Sequence, residues 1–241
     1  MSTAPALSVV VPVFNERDNI APLLEEISRA LEGLVDYEVI YVDDASTDDT
    51  LAVLLAARAR HPRLRVLQHA RQSGQSTAVY HGVRAARGAW IATLDGDGQN
   101  DPADIRKLLA ARDAAPAGTR LFAGWRTARR DSLGKRLSSR IANGVRKRLL
   151  RDDTPDTGCG LKLFDRAVFL ELPYFDHMHR FLPALVRRHG HGCLSVPVSH
   201  RPRTRGVSKY GMWNRLWVGL SDLRGVSWLM RRTRLSEPRE F

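Results

Sequence analysis

Cysteine is nearly missing: Cys159 and Cys193 are the only two in 241 residues, and no CxxC spacing joins them. Neither a disulfide framework nor a thiolate zinc site is indicated, which leaves buried free thiols in a reducing compartment as the expectation. Long hydrophobic runs are absent as well. No apolar stretch reaches the ~18 residues a spanning helix needs, so no membrane crossing is expected. The N-terminus lacks a basic leader, and its uncharged run from Met1 to Asn15 passes directly into Glu16 and Arg17, as a strand does and a signal peptide does not. No internal repeat or low-complexity linker interrupts the chain.

Hydrophobic residues make up 43% of the sequence, enough for one substantial core and too many for a disordered chain. The formal charge is +12, but it is unevenly spread. Residues 126–151 hold ten Arg or Lys against Asp131 alone, and residues 200–234 hold nine against Asp222 alone, so the remainder is net acidic. Such basicity suits nucleic acid, a membrane surface or an anionic substrate. Nucleic acid is disfavoured, because the basic stretches are not interleaved with base-stacking aromatics in a recognisable module.

In the first half, period-two apolar runs alternate with helical patterns, which predicts βαβ units and a mainly parallel α/β sheet. Leu7 to Phe14 reads as a buried strand. Ile20, Leu23, Leu24, Ile27 and Leu31 recur at helical spacing, with Gly33 as C-cap. Strands are predicted at Tyr37–Val42, Leu64–Leu67, 89–95 and 120–125. A helix is predicted from Gln75 to Ala86, Ser46 or Thr47 is placed to cap the helix after the second strand, and Pro102 marks another helix start. Polar residues collect where the strands end: Asn15 and Glu16, Asp43 and Asp44, Asp95 and Asp97. Open α/β sheets bind ligands outside the carboxyl ends of their strands, so three acidic tips predict a site.

The densest tip is "LDGDGQND". As a calcium loop it fails, since the EF-hand pattern needs Gly at its sixth position and Glu at its twelfth, where Asn100 and Arg106 stand. A solvated turn is the simplest alternative. Two carboxylates two apart at a strand tip can instead offer oxygen ligands to Mg2+ or Mn2+, hard cations that keep positions open for phosphates. The H-x-H pairs His177/His179 and His189/His191 have zinc-like spacing, but "MHRFLPALVRRHG" reads as a helix, on which such pairs diverge.

Three stretches in order, "VVVPVFNE", "VIYVDDASTD" and "LDGDGQNDP", resemble the successive motifs of family 2 glycosyltransferases of the GT-A fold. The resemblance continues through "AGWR", "SSRIAN", "DTGCGLKLFDR", "HRFLPAL" and "RTRGVSKYG", and is nearest to the branch that uses polyprenyl phosphates. It implies a nucleotide-sugar donor, UDP- or GDP-linked, bound by Pro12, Asn15, Glu16, Asp43 and Asp44. It further implies a metal among Asp95, Asp97 and Gln99, with Asp97 the principal ligand. Arg126, Lys135, Ser139 and Arg203 match positions that hold acceptor or donor phosphate, and Asp156 matches one near the reaction centre, as base or as orienting group. Many relatives carry Gly-Lys where this chain has Gly74-Gln75, so Arg71 is the candidate for the missing cation.

The implied reaction is inverting transfer to a polyprenyl phosphate at the cytoplasmic face of a membrane, with a soluble saccharide or protein acceptor as the nearer alternative. Residues 1–125 form the donor half and 126–241 the acceptor half of one continuous domain. Amphipathic patterns over 133–150 and about 209–232 combine apolar stripes (Leu133, Leu137, Ile141, Val145 and Leu149; Trp213, Leu216, Trp217, Leu220, Leu223 and Trp228) with Arg and Lys. That composition predicts helices lying in an anionic membrane interface, with ordinary core faces as the alternative. A homo-oligomer is compatible with the sequence.

Overall fold

The computed structural model describes residues 4–127, 144, 148–150, 152–202 and 212–232, the side chains of 212–218 excepted. The helix predicted over 133–150 therefore lies almost wholly outside the described residues, as do Lys135, Ser139 and Arg203.

A seven-stranded sheet forms the centre, in the order β3-β2-β1-β4-β6-β5-β7. Its strands are β1 (Leu7–Val13), β2 (Tyr37–Asp43), β3 (Leu64–Gln68), β4 (Trp90–Thr93), β5 (Thr119–Arg126), β6 (Lys162–Asp165) and β7 (Gly192–Val198). The first four pair in parallel, whereas β6 runs antiparallel to both β4 and β5. β7 returns parallel to β5. Every residue of β2 is buried, as expected of a parallel strand covered on both faces.

Helices α1 (Arg17–Leu31), α2 (Thr50–Ala57) and α4 (Ile105–Ala114) pack on one face. The other face carries α3 (Gln75–Ala85), α5 (Arg166–Glu171), α6 (Leu182–Arg188) and the end of α7 (Met212–Arg231). The 3.6-residue repeat of Ile20, Leu23, Leu24, Ile27 and Leu31 explains the buried side of α1. Gly33 follows the helix with φ +71°, the left-handed geometry that favours glycine after a helix end.

Three local predictions require correction. The strand before Asp95 stops at Thr93, placing Asp95 in the loop. Ser46 and Thr47 do not cap α2, which begins at Thr50; both turn instead toward Asn15, whose φ of 54° brings its backbone N–H to Ser46 Oγ at 2.9 Å. The single helix expected from Met178 is a 3₁₀ turn (Met178–Arg180) followed by α6, and His189 and His191 stack with centroids 5.5 Å apart.

Of the apolar stripe predicted on α7, Leu223 packs against the core beside Val226, Leu229 and Met230, while Leu220 and Trp228 are exposed, Trp228 at 60%. Trp213, Leu216 and Trp217 have side chains outside those described. Arg224, Arg231 and Arg232 are also exposed, and the Arg232 guanidinium lies 5.5 Å from the Trp228 ring centroid. Asp222 anchors the helix by facing His177 Nδ1 at 3.0 Å.

Candidate active site

The strand ends place the acidic tips side by side. Asp43 is fully buried, its Oδ1 accepting from Ser46 N–H at 3.1 Å and its Oδ2 from Gln68 at 3.3 Å. Asp44 organises the next loop: its carboxylate accepts from Ser73 N–H and Gly74 N–H, both at 2.8 Å, and meets His69 Nδ1 at 2.7 Å. Asn15 bridges to the same rim, accepting from Thr47 N–H at 2.7 Å, while Glu16 accepts from Asn19 at 2.7 Å. Arg71 is exposed on the β3–α3 loop.

Asp95 stands at the wall of a small pocket of about 20 Å³, room for about one water-sized group, lined also by Pro12, Gln75, Gly160, Lys162 and His179. Gln75 donates to Asp95 Oδ1 at 2.8 Å and so holds this carboxylate directly. Burial, with Asp97 as a second negative charge, holds Asp95 above the ordinary carboxylate range, against the opposing pull of Lys162, Gln75 and Arg126. Gly160 is the surface on which Asp95 rests: a methyl group there would overlap the carboxylate.

Asp97 accepts from Gln99 N–H at 3.1 Å, and the Gln99 amide reaches the Arg201 carbonyl at 3.4 Å. Gln99 thus ties the acidic loop to the segment leading toward Arg203. Asp101 caps the 3₁₀ turn Pro102–Asp104 by accepting from Ala103 N–H. Among the described residues, no group of three or more His, Cys, Asp and Glu side chains is arranged to hold a metal. Asp95 and Asp97 nonetheless suit a divalent cation, because two hard-oxygen ligands that repel each other gain from a shared positive charge and leave coordination positions for phosphate.

The loop before β6 enters from the second half. Asp156 lies against Arg126, with Nε–Oδ2 at 2.6 Å and Nη2–Oδ1 at 2.9 Å. Lys162 was not anticipated from the sequence. It is buried at the start of β6 and donates to the Thr157 and Cys159 carbonyls. Burial lowers its pKa, while Cys159, Asp95 and Asp156 favour the charged form. His179, singled out in the sequence only as half of an H-x-H pair, also lines this pocket, and its Nδ1 lies 2.7 Å from Ser76 Oγ. The structure therefore brings Asp95, Asp97, Arg126, Asp156 and Gln99 together with Pro12 beside them, while Asn15, Glu16, Asp43 and Asp44 form the adjoining rim.

The profile of "Glycosyl transferase family 2" matches residues 8–172, more than half of the chain, and the chain belongs to that family. Among curated relatives, it is 36% identical over 234 residues to a dodecaprenyl-phosphate galacturonate synthase of Rhizobium johnstonii, covering 93% of this chain and 67% of the relative. It is 33% identical over 213 residues to an undecaprenyl-phosphate 4-deoxy-4-formamido-L-arabinose transferase of Edwardsiella ictaluri, covering 87% and 64% respectively. The chain thus spans about two thirds of the length of these relatives. Its fold is that of glucosyl-3-phosphoglycerate synthase from Mycobacterium tuberculosis, solved with Mn2+, UDP and phosphoglyceric acid (TM-score 0.70, 19% identity, 96% of this chain and 80% of that one). The mannosyltransferase PcManGT from Pyrobaculum calidifontis, solved with GDP-Man and Mn2+, shares it too (TM-score 0.67, 17% identity, 98% and 67%). The expected GT-A-type architecture agrees with both.

Proposed function

We propose that this chain transfers one sugar, with inversion, from a UDP- or GDP-linked donor to a polyprenyl phosphate at a membrane surface. The observation that carries this reading is the meeting of the Asp95–Asp97 tip with the Arg126–Asp156 pair, one from each half of the chain. The polyprenyl-phosphate relatives support the choice of acceptor.

Pro12, Asn15, Glu16, Asp43, Asp44 and Arg71 hold the nucleotide in this reading. Asp97, assisted by Asp95 and Gln99, holds Mg2+ or Mn2+, which when bound neutralises the charge of the departing diphosphate. Arg126, Lys135, Ser139 and Arg203 align the acceptor phosphate for attack at the anomeric carbon. A phosphomonoester, with second pKa near ~6, is largely ionised at neutral pH and needs positioning more than deprotonation. Asp156 accordingly orients Arg126, since both carboxylate oxygens already accept from it. The exposed Trp228 face of α7 rests on an anionic bilayer at its cytoplasmic face.

The test is a transfer assay with a panel of nucleotide sugars and a short polyprenyl phosphate, with Mg2+ or Mn2+ supplied and then removed. Metal-dependent formation of a glycosyl phospholipid is expected. Transfer to a soluble saccharide in preference to the lipid phosphate would reject the acceptor assignment.

A further inference from the structure

The pocket beside Asp95 contains a polar group with no role so far. His179 sits on the 3₁₀ turn before α6 and lines the pocket together with Gln75, Asp95 and Lys162. Its backbone N–H donates to Ser76 Oγ at 3.3 Å, and its Nδ1 lies 2.7 Å from the same oxygen. Ser76 is only 1% exposed, and the imidazole is the one acceptor its hydroxyl hydrogen reaches among the described residues. A buried hydroxyl without an acceptor is costly, so Ser76 donates to Nδ1. The ring is then the tautomer with its hydrogen on Nε2.

Burial, together with the charges of Lys162 and Arg180, holds the His179 pKa well below the ordinary histidine value. The ring therefore stays neutral at physiological pH, with one fixed donor. That donor has no protein acceptor among the described residues, although the ring lines a pocket whose other polar walls are occupied: Gln75 by Asp95, and Lys162 by the Thr157 and Cys159 carbonyls.

We infer that His179 is a sugar-recognising residue, whose Nε2–H donates to an oxygen of the sugar carried by the nucleotide donor. The inference rests on the proposed function, and adds to it a residue that reads the sugar and not the nucleotide. Ser76 fixes the tautomer, and the pocket, with room for one water-sized group, admits a single hydroxyl of a sugar seated at its mouth. A neutral donor of this kind discriminates between sugars by the position of an acceptor oxygen, because a sugar lacking it leaves the N–H unpaired.

The experiment compares binding of free UDP or GDP with binding of the matching nucleotide sugar selected by the transfer panel, in the presence of Mn2+, for wild type, His179→Gln and His179→Asn. Gln can place its amide N–H near the former Nε2 position, whereas Asn places its own near Nδ1. The expected result is nucleotide-sugar binding within about threefold of wild type for H179Q and about tenfold weaker for H179N, the loss of roughly one hydrogen bond. Free nucleotide should bind all three within about twofold. Ser76→Ala, which releases the tautomer, should weaken nucleotide-sugar binding while sparing free nucleotide. Equal weakening of both ligands, or no change in either, overturns the inference while wild-type transfer leaves the proposed function standing. A wild-type chain that neither binds nor transfers any nucleotide sugar overturns both.

Discussion

Arg126 grips Asp156 through two parallel hydrogen bonds of 2.6 and 2.9 Å, and the pair is largely buried, at 12% and 7% side-chain exposure. A carboxylate held in this way is already committed as an acceptor. The pair also links the last residue of β5 to the loop that leads into β6.

Asp156→Asn should therefore lower kcat by roughly 10–100-fold and leave the acidic limb of the pH–rate profile in place, since the variant misorients Arg126 without removing a base. A general base would instead give up to about 10⁴-fold loss and a vanished limb. Asp156→Ala leaves the guanidinium without its partner and should cost about 3 kcal/mol of stability by denaturant titration.

Asp97→Asn retains an acceptor for Gln99 N–H and removes one negative charge beside Asp95. Transfer should fall by at least about 100-fold, and the thermal shift produced by Mn2+ with UDP or GDP should disappear. Without metal, the variant should melt no lower than wild type, because the repulsion that raises Asp95 is gone. A persisting metal-dependent shift would sink the assignment.

Gly160→Ala tests the seat of Asp95. The added methyl overlaps the carboxylate, which must swing away from Gln75, so metal-supported nucleotide binding should weaken at least tenfold. Gly82→Ala is the control: its methyl would meet Val10 in the core, and should lower stability with no selective effect on nucleotide binding.

The protonation of His179 gives stability a pH dependence of known sign. Its folded pKa is depressed below the unfolded value near ~6.5, so its contribution is present above that pH and is lost as pH falls toward the folded value. Over this range the unfolded chain takes up a proton that the folded chain refuses, with a slope of up to about 1.4 kcal/mol per pH unit. Urea titrations between pH 7 and 5 should show a smaller slope for His179→Gln than for wild type.

The outer face of α7 should bind anionic bilayers. Reversing Arg224, Arg231 and Arg232 to Glu should abolish sedimentation with vesicles containing phosphatidylglycerol, each residue contributing up to about 1 kcal/mol near the surface, while leaving the melting temperature unchanged. Unaltered sedimentation would reject the interfacial assignment.

The first half was readable because β1 and β2 are buried on both faces: "LSVVVPV" and "YEVIYVD" announce themselves as mostly apolar, β-branched runs. The acidic tips were readable for a related reason, since carboxylates directly after such runs must lie at the strand ends. β6 left no comparable signal. It is four residues long and opens on Lys162, a residue that argues against burial until the Thr157 and Cys159 carbonyls are seen to receive it. Thr47 was misread as a cap because the left-handed Asn15, 32 residues away, competes for it. His179 was weighed as a metal ligand, since its partner Ser76 lies 103 positions earlier and no local pattern joins them.

The placement of β6 between β4 and β5 has a consequence for how this protein can be taken apart. A fragment ending near Trp125 would hold β4 and β5 with no strand to join them, for the filler arrives some forty residues later in the chain. The two sides of that cut are stitched through one hydrogen-bonded sheet, and expressing them separately should yield two insoluble pieces that recover structure only when refolded together.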